Sequence, residues 1–333
     1  MSTTTRQSNF ELLRIICMLM VMICHAIGYV QETDLVGASG IAKVFVNQFC
    51  IVDVNVFVMI SGWFGIRASV KGAVKLLFQV WFLAILCFLV FLCLGLSLSF
   101  RQDLLPYLLF GSGYWFVVAY LILYALSPVL NAFTEHTSKK EFSCVLIAFF
   151  LVEFIFGFLL GSGHFAYGFS PLFFIGLYLL ARYIRLYPDR CFSFSKWGDL
   201  AVYVGVSVIS ILGLWFGYKW FGMGFHLNHY DSPLAIVASL YFLLFFSKLK
   251  FQNRTVNWLA SSAFAIYLIH ENSLVSRWYH QLFGFIQENY SLATYYLLII
   301  CIAIVLALVF ILIDKLRILV WNWASKLSLV NTR

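Results

Sequence analysis

Charged residues are scarce in this chain of 333 residues. Only 11% of the residues are Asp, Glu, Lys or Arg, whereas 63% are apolar. A soluble globular protein carries about 25% charged residues. The composition therefore excludes an ordinary soluble enzyme or binding domain and indicates a protein that crosses a lipid bilayer many times.

Disulfide and metal motifs are also missing. The eight cysteines form no C-x-x-C pair, and most of them lie inside apolar runs. We interpret them as small polarisable hydrophobic residues, which argues against a disulfide framework and a zinc site, and we expect no bound metal. Cys24, next to His25, is a candidate nucleophile, but adjacent helical residues point about 100° apart, which disfavours a Cys–His pair.

Long apolar spans fill most of the chain. We count about ten of them, and the sixth and eighth are short for a bilayer crossing. No linker or low-complexity segment divides the sequence, so we predict an all-α polytopic membrane protein with a single domain over residues 1–333. The approximate limits of the spans are 10–30, 41–64, 76–99, 104–130, 142–160, 170–184, 200–220, 233–247, 258–276 and 292–313.

The positive charges are distributed unevenly between the two sides that these spans define. With a cytoplasmic N-terminus, 18 of the Lys and Arg residues fall on the cytoplasmic side and only 4 on the other. This asymmetry is the positive-inside pattern, and it predicts that both termini are cytoplasmic. It also accounts for most of the net charge of +8, so no nucleic-acid partner is needed to explain that charge.

The first span carries three ionisable side chains. Arg14 and His25 are 11 positions apart, which on a helix is three turns plus about 20° and about 16 Å along one stripe. Glu11 precedes Arg14 by three residues and is a possible partner for it. The simpler alternative is that Arg14 snorkels to the head groups and His25 is an interfacial histidine with one hydrogen bond.

Two further spans contain isolated acids. Asp53 and Asn55 fall near the middle of the second span, and Glu153 lies in the fifth. A lone acid at such a depth is a functional candidate by default, although one of the two acids can be a buried structural partner. Ser61 and Gly62 lie nearer the cytoplasm, where a pair of small residues is most simply explained by close helix packing.

Polar and aromatic residues of two other spans are predicted at the depth of His25, in the outer half of the membrane. They are His270 and Glu271 of the ninth span, and Tyr114 and Trp115 of the fourth. The remaining histidines fall in predicted loops, where we expect solvated side chains: His136, His164, His226, His229 and His280.

A basic group follows the second span. Arg67, Lys71 and Lys75 recur every four residues, which would place them on one helix face at the inner membrane surface. Positive-inside topology explains them fully. The alternative is a docking site for the phosphates of a cytoplasmic cofactor.

Four segments together resemble acyltransferase family 3, the integral-membrane acyltransferases of bacterial surface glycans. Arg14 and His25 are similar to the family's opening pattern of Arg, ten residues and His. The other three segments resemble its phenylalanine-rich run ending in Ser-Gly-aromatic, its Trp-Phe…Tyr…Ser-Pro segment and its late Ile-Tyr-Leu-Ile-His. In this chain they are VNVFVMISGWF (54–64), YWFVVAYLILYALSPVLN (114–131) and AIYLIH (265–270).

This resemblance implies a multi-pass O-acetyltransferase of the bacterial cytoplasmic membrane. Such an enzyme takes an acyl group, usually acetyl, from cytoplasmic acyl-CoA and transfers it to a sugar hydroxyl of a surface polysaccharide or its lipid-linked precursor. His25 would be the base, acting on the sugar directly or first accepting the acetyl group itself. Arg14 would fix the donor or a carboxylate partner on the same stripe.

The resemblance also suggests roles for the other polar residues. Tyr114, Trp115 and Ser61 are candidate donors to the thioester oxyanion, and Arg67 and Lys71 would hold the phosphates of acyl-CoA. The remaining candidates for substrate contacts are Glu11, Asp53, Asn55, His270 and Glu271. Two departures weaken single assignments: Asn55 stands where many relatives have Asp or Pro, and Arg67 with Lys71 replaces a paired-arginine motif.

Two other classes of protein remain open at this point. A transporter or flippase of lipid-linked saccharides would also need buried charges and a polar cavity, but its typical internal repeats are not visible. A non-catalytic membrane scaffold would not need His25, Asp53, Glu153 and His270.

Overall fold

The structure is a computed structural model, and it describes residues 6–28, 30, 37–111, 114–188, 194–221 and 226–330. All regular elements in these ranges are helical, which confirms the predicted all-α polytopic fold. The α-helices are α1 Ser8–Ile27, α2 Ala38–Cys50, α3 Asp53–Phe64, α4 Val70–Cys93, α5 Leu105–Leu108, α6 Trp115–His136, α7 Lys139–Val152, α8 Pro171–Leu186, α9 Lys196–Phe221, α10 Pro233–Ser247, α11 Arg254–Ala260, α12 Ala263–His270, α13 Ser273–Asn289 and α14 Leu292–Val330.

Seven helical stretches within the described ranges are long and apolar enough to cross a membrane. The shorter helices α8 and α10, and the pair α11 and α12, coincide with the sixth, eighth and ninth predicted spans. The count of ten spans and the cytoplasmic location of the termini stay predictions. The seven stretches are Ser8–Ile27, Ala38–Phe64, Val70–Cys93, Trp115–His136, Lys139–Leu159, Lys196–Phe221 and Leu292–Lys326.

Three predicted spans are interrupted, and one of them is the fourth, which is divided between the end of α5 at Leu108 and the start of α6 at Trp115. The second is divided at residues 51–52, and the carboxylate of Asp53 accepts a hydrogen bond from the N–H of Val54 (2.5 Å). The first N–H groups of a helix have no intrahelical acceptor, so this bond stabilises the start of α3. The ninth is divided at residues 261–262 and ends at His270, because the side chain of Asn272 caps the following helix at Leu274.

One compact unit of the chain comprises residues 1–68 and 116–253, which we call unit 1. Within it α3 packs against α1, α8 and α10. Gly62 allows the approach of α3 to α8, because a Cβ at this position would overlap the backbone carbonyl oxygen of Tyr178. This contact supports the packing interpretation of Gly62.

The other compact unit comprises residues 69–115 and 254–333, which we call unit 2. Here the short helix α12 packs against α4, α13 and α14. A buried ion pair joins Asp314 to Arg317 through two hydrogen bonds of 2.7 Å, and Gln79 of α4 donates to the same carboxylate.

The surface and the interior carry the polarity expected of a protein in lipid. On α14, Leu297, Val305 and Leu312 are each more than half exposed. By contrast, Asp53 and Asp199 are buried, and Asp199 is paired with Lys248 (2.5 Å). Because hydrocarbon penalises ions and accepts apolar side chains, this arrangement agrees with a membrane location.

Candidate functional site

Helix α1 presents the three ionisable residues that the sequence singled out. Arg14 and His25 both lie on this continuous helix, and both are half-buried. Glu11 is buried and accepts a hydrogen bond from the guanidinium of Arg14 (2.8 Å). The predicted partnership of Glu11 and Arg14 is confirmed, so the guanidinium of Arg14 is anchored by an acid within unit 1.

His25 and Asp53 are electrostatic neighbours in unit 1. Asp53 is 1% exposed at the first turn of α3, and its charge interacts with that of His25. His25 also lies in the last turn of α1, where the helix dipole favours a positive charge. The carboxylate and the helix end therefore both stabilise the imidazolium that forms when His25 accepts a proton.

A hydroxyl pair lies close to Arg14. The hydroxyls of Ser61 and Tyr120 are hydrogen-bonded to each other (3.1 Å), and the charge of Arg14 acts on Tyr120. The sequence analysis missed Tyr120, although the residue lies inside the 114–131 segment that carries the family resemblance. Arg14, Ser61 and Tyr120 thus form a second polar group in unit 1.

Asn55 has a visible structural function. It is fully buried, and its amide donates to the carbonyl oxygen of Tyr230 (2.9 Å) in the segment between α9 and α10. This bond ties residues 226–232 to α3. The predicted substrate contact of Asn55 stays a prediction.

Two acids of unit 1 face each other near Gly157. Glu153 begins the π-helical segment Glu153–Leu159 that continues α7, and Asp231 precedes α10. Each is 1% exposed, and their charges interact. Within the described part of the chain their carboxylate oxygens have no hydrogen-bond partner. Sequence analysis identified Glu153 as an acid inside a span, but no signal marked Asp231, which lies outside the apolar runs.

The segment that contains Asp231 holds two of the histidines for which we predicted solvated side chains. His226 is exposed, as predicted, but for His229 the prediction is wrong: this ring is half-buried against the ring of Tyr167, with 4.4 Å between centroids. Burial lowers the pKa of His229 from 6.5 to about 4, and burial raises the pKa of Asp231 from 3.8 to about 6.

Unit 2 contains the other candidates from the outer half of the membrane. His270 is fully buried, its Nδ1 lies 2.7 Å from the carbonyl oxygen of Ile266, and its Nε2 lies 3.9 Å from Glu271. Tyr114 is also fully buried and donates its hydroxyl proton to the carbonyl oxygen of Leu268 (2.5 Å). Trp115 is half-buried. Tyr114 therefore supports the backbone of α12 just before His270.

The basic residues after α3 do not share one helix face. Arg67 is exposed in the loop 65–69, whereas Lys71 is exposed in the first turn of α4. Ser69 is the N-cap of α4 and accepts a hydrogen bond from the N–H of Gly72 (3.1 Å). The predicted face of Arg67, Lys71 and Lys75 is wrong for Arg67, because this cap starts the helix only at Val70.

Comparison with known proteins gives one match. A family model described as an acyltransferase domain matches residues 7–312, which is nearly the whole chain. No curated protein and no solved structure matches it. The matched range contains His25 and Asp53 as well as Arg14, Ser61 and Tyr120.

Proposed function

The chain belongs to this acyltransferase family, and from that premise we propose that it is a membrane O-acetyltransferase. It takes an acetyl group from cytoplasmic acyl-CoA and transfers it to a hydroxyl of a surface polysaccharide or of its lipid-linked precursor. The family match carries the assignment to acyl transfer. The electrostatic interaction of His25 with Asp53 in unit 1 supports the chemistry, because a sugar hydroxyl is a poor nucleophile until a base removes its proton.

His25 is the base in this proposal. Its imidazole takes the proton of the sugar hydroxyl while the hydroxyl oxygen attacks the carbonyl carbon of the thioester. The tetrahedral intermediate then breaks its C–S bond, and the sulfur leaves with the proton that His25 returns to it. The products are the sugar acetate and free CoA thiol, and Asp53 stabilises the imidazolium between the two proton transfers.

The polar group around Arg14 would bind the donor on the cytoplasmic side of its thioester, because Arg14 lies about 16 Å along α1 from the base His25. Ser61 and Tyr120 have two hydroxyl protons and use one in their mutual hydrogen bond, so the other can be donated to an amide carbonyl oxygen of the donor. The hydroxyl of Tyr114 is already donated to Leu268, which makes Tyr114 a weaker candidate for this role. Arg14, anchored by Glu11, would orient the donor beside them.

The test of the base is the substitution His25→Ala. Loss of a general base lowers turnover by about 10²–10⁴-fold, and a covalent role for His25 would lower it further. The measurement is acetylated glycan per unit of folded protein, with purified enzyme, radiolabelled acetyl-CoA and saccharide acceptor. His136→Ala is the matched control, because His136 is an exposed histidine at the end of α6. Near-normal transfer by His25→Ala would end this mechanism, and His270 would become the next candidate.

The test of Arg14 is a change that keeps the charge. Arg14→Lys loses the planar fork that gives bidentate contacts, so we expect transfer to fall by about tenfold or more, as for the loss of one charge-assisted hydrogen bond. If Arg14 only snorkels towards the head groups, lysine should serve equally well.

The alternative is a transporter or flippase of lipid-linked saccharides, and the product distinguishes it from an enzyme. An acetyltransferase adds the mass of an acetyl group through an ester that alkali removes. A saccharide that crosses a vesicle membrane with its mass unchanged would favour transport instead.

A further inference from the structure

A ring of three hydrogen bonds fixes the loop that follows α3. The N–H of Ile66 donates to the hydroxyl of Tyr178 (3.0 Å), this hydroxyl donates to Oδ1 of Asn131 (2.6 Å), and Nδ2 of Asn131 donates to the carbonyl oxygen of Ile66 (2.8 Å). Both polar atoms of the Ile66 backbone are thereby held by side chains of α8 and α6. These bonds hold the loop 65–69 in place within unit 1. The loop follows the C-terminal end of α3, which the charge distribution predicts to be cytoplasmic.

Arg182 lies beside the loop 65–69, one helical turn after Tyr178 on α8. A Cβ at Gly65 would lie in ordinary van der Waals contact with Nη1 of Arg182, at 3.4 Å, so the guanidinium lies next to the loop. Gly65 has φ +75°, a conformation that favours glycine. The glycine therefore serves the turn that brings the loop next to Arg182.

The Nε of Arg182 has no hydrogen-bond partner in the described part of the chain. This nitrogen is buried, and no carboxylate among the described residues pairs with the guanidinium. Other arginines have a charged or aromatic partner: Arg14 pairs with Glu11, Arg317 pairs with Asp314 although its Nη1 has no hydrogen-bond partner among the described residues, and the exposed Arg185 lies over the face of Trp63 at 5.1 Å. A buried donor without an acceptor is costly, and it indicates an acceptor that a ligand supplies.

Electrostatic neighbours connect Arg182 to the group around Arg14. The charge of Arg182 acts on Tyr178, Tyr178 and Tyr120 interact, and Arg14 acts on Tyr120. Polar side chains therefore run through unit 1 from the loop 65–69 towards the hydroxyl pair of Ser61 and Tyr120. An elongated donor could extend along them and past Ser61, with its anionic end at Arg182 and its thioester beside His25.

We propose that Arg182 binds a phosphate group of the acyl-CoA donor at the cytoplasmic end of unit 1, beside the loop held by Tyr178 and Asn131. This inference rests on the proposed function, and it adds to Arg67 and Lys71 a residue that the sequence showed only as a topology signal. A guanidinium suits a phosphate because its planar fork donates two parallel hydrogen bonds. The same chemistry would also bind the phosphate of an anionic lipid head group.

The experiment measures CoA binding to the full chain in nanodiscs of phosphatidylcholine, by equilibrium dialysis with radiolabelled CoA. We expect Arg182→Gln to weaken binding by about 10- to 100-fold, the value of a charge-assisted hydrogen bond to a buried group. Arg182→Lys should recover part of the loss. In the transfer assay, KM for acetyl-CoA should rise in Arg182→Gln while kcat at saturating donor stays within about twofold, since the proposal gives Arg182 a role in donor binding and none in proton transfer.

Arg185→Gln is the matched control, because Arg185 lies three residues later on α8 and its guanidinium is occupied by Trp63. Thermal unfolding of each variant verifies that it is folded, and Arg182→Lys keeps the test open if Arg182→Gln does not fold. Equal CoA affinity of Arg182→Lys, Arg182→Gln and wild type would overturn this inference and leave the proposed function intact. If Arg182→Gln binds CoA as tightly as wild type but loses a preference for nanodiscs of phosphatidylglycerol, then Arg182 binds lipid head groups. That result would also overturn the inference. Wild-type protein that binds no CoA would overturn the proposed function itself.

Discussion

At the scale of the residue, the buried acids of unit 1 fall into two kinds. Glu11 and Asp199 each face a basic partner, Arg14 and Lys248 respectively. Glu153 and Asp231 face each other, and within the described ranges neither has a hydrogen-bond partner. Transfer of an unpaired carboxylate out of water is costly, so such a group binds a proton instead. The raised pKa of Asp231, at about 6, expresses this cost.

The first prediction concerns the pH dependence of stability that Asp231 causes. Its pKa is about 6 in the folded protein against an ordinary 3.8, and it is 1% exposed. The folded state therefore binds the proton more tightly, so its contribution to stability is full below pH 4 and is lost as pH rises through 6. Asp231→Asn cannot ionise, and we expect it to be more stable than wild type at pH 8 by up to about 3 kcal/mol, and equal to it near pH 4.

The measurement is denaturant unfolding of wild type and Asp231→Asn in detergent at pH 4, 6 and 8. Glu153 and His226 also interact with this region, and the difference between the two proteins isolates residue 231. His229, with its pKa lowered to about 4, contributes the opposite slope: stability is lost as pH falls below 6.5. A constant difference between wild type and Asp231→Asn at all three pH values would show that Asp231 does not bind a proton in this range.

Which residues the sequence revealed depended on how unusual they are in an apolar span. Arg14, His25 and Asp53 were visible because ionisable groups are rare there, and the pairing of Glu11 with Arg14 follows from helical spacing. Tyr120 and Tyr178 were not visible, since the chain has 18 tyrosines and only tertiary contacts distinguish these two. Arg182 was hidden by the positive-inside pattern, which explains a basic residue at that position without a ligand.

At the scale of the element, α3 carries much of what positions the site. Its first turn contains Asp53, its last turn contains Ser61, and its C-terminal loop approaches Arg182. The start of α3 was not predictable from hydropathy, because residues 41–64 form one apolar run and the break at 51–52 changes nothing in their apolar character. The close packing at Gly62 was predictable, since small residues in spans indicate helix contacts.

The second prediction is that Gly62→Ala separates α3 from α8. An added Cβ would meet the backbone of Tyr178, including Cα at 2.8 Å. Backbone cannot rotate away, so we expect a loss of about 1–3 kcal/mol of stability and a lower transfer rate through displacement of Ser61. Thermal unfolding and the acetylation assay measure the two effects.

Gly205→Ala provides the matched control for Gly62→Ala. Gly205 is an exposed glycine within α9, and among the described residues nothing lies within 4 Å of the position that its Cβ would occupy. Alanine there should be neutral or slightly stabilising, because it is the better helix former. Equal melting temperatures for Gly62→Ala and wild type would contradict the tight contact between α3 and α8.

At the scale of the whole molecule, the distribution of charge indicates the membrane topology more clearly than the lengths of the helices do. Seven stretches qualify as spans by length and composition. Helix α8 has 16 residues, about 24 Å, whereas the hydrocarbon core is about 30 Å thick. Yet Lys139 and Lys140 are the first residues of α7, and Arg182 and Arg185 lie at the end of α8. Because the stretch Lys139–Leu159 is long enough to cross the membrane, both basic groups fall on the cytoplasmic side only if α8 crosses it as well.

The last prediction is therefore a topology of two crossings between residues 137 and 187. Fusions of alkaline phosphatase, which is active only outside the cytoplasm, should be inactive after residues 137 and 187 and active after residue 163. Fluorescent-protein fusions at the same points should give the reverse pattern, because they fold only in the cytoplasm. Phosphatase activity after residue 187 would mean that α8 does not cross. The count of ten spans would then fail, and Arg182 would lie on the wrong side of the membrane for a cytoplasmic donor.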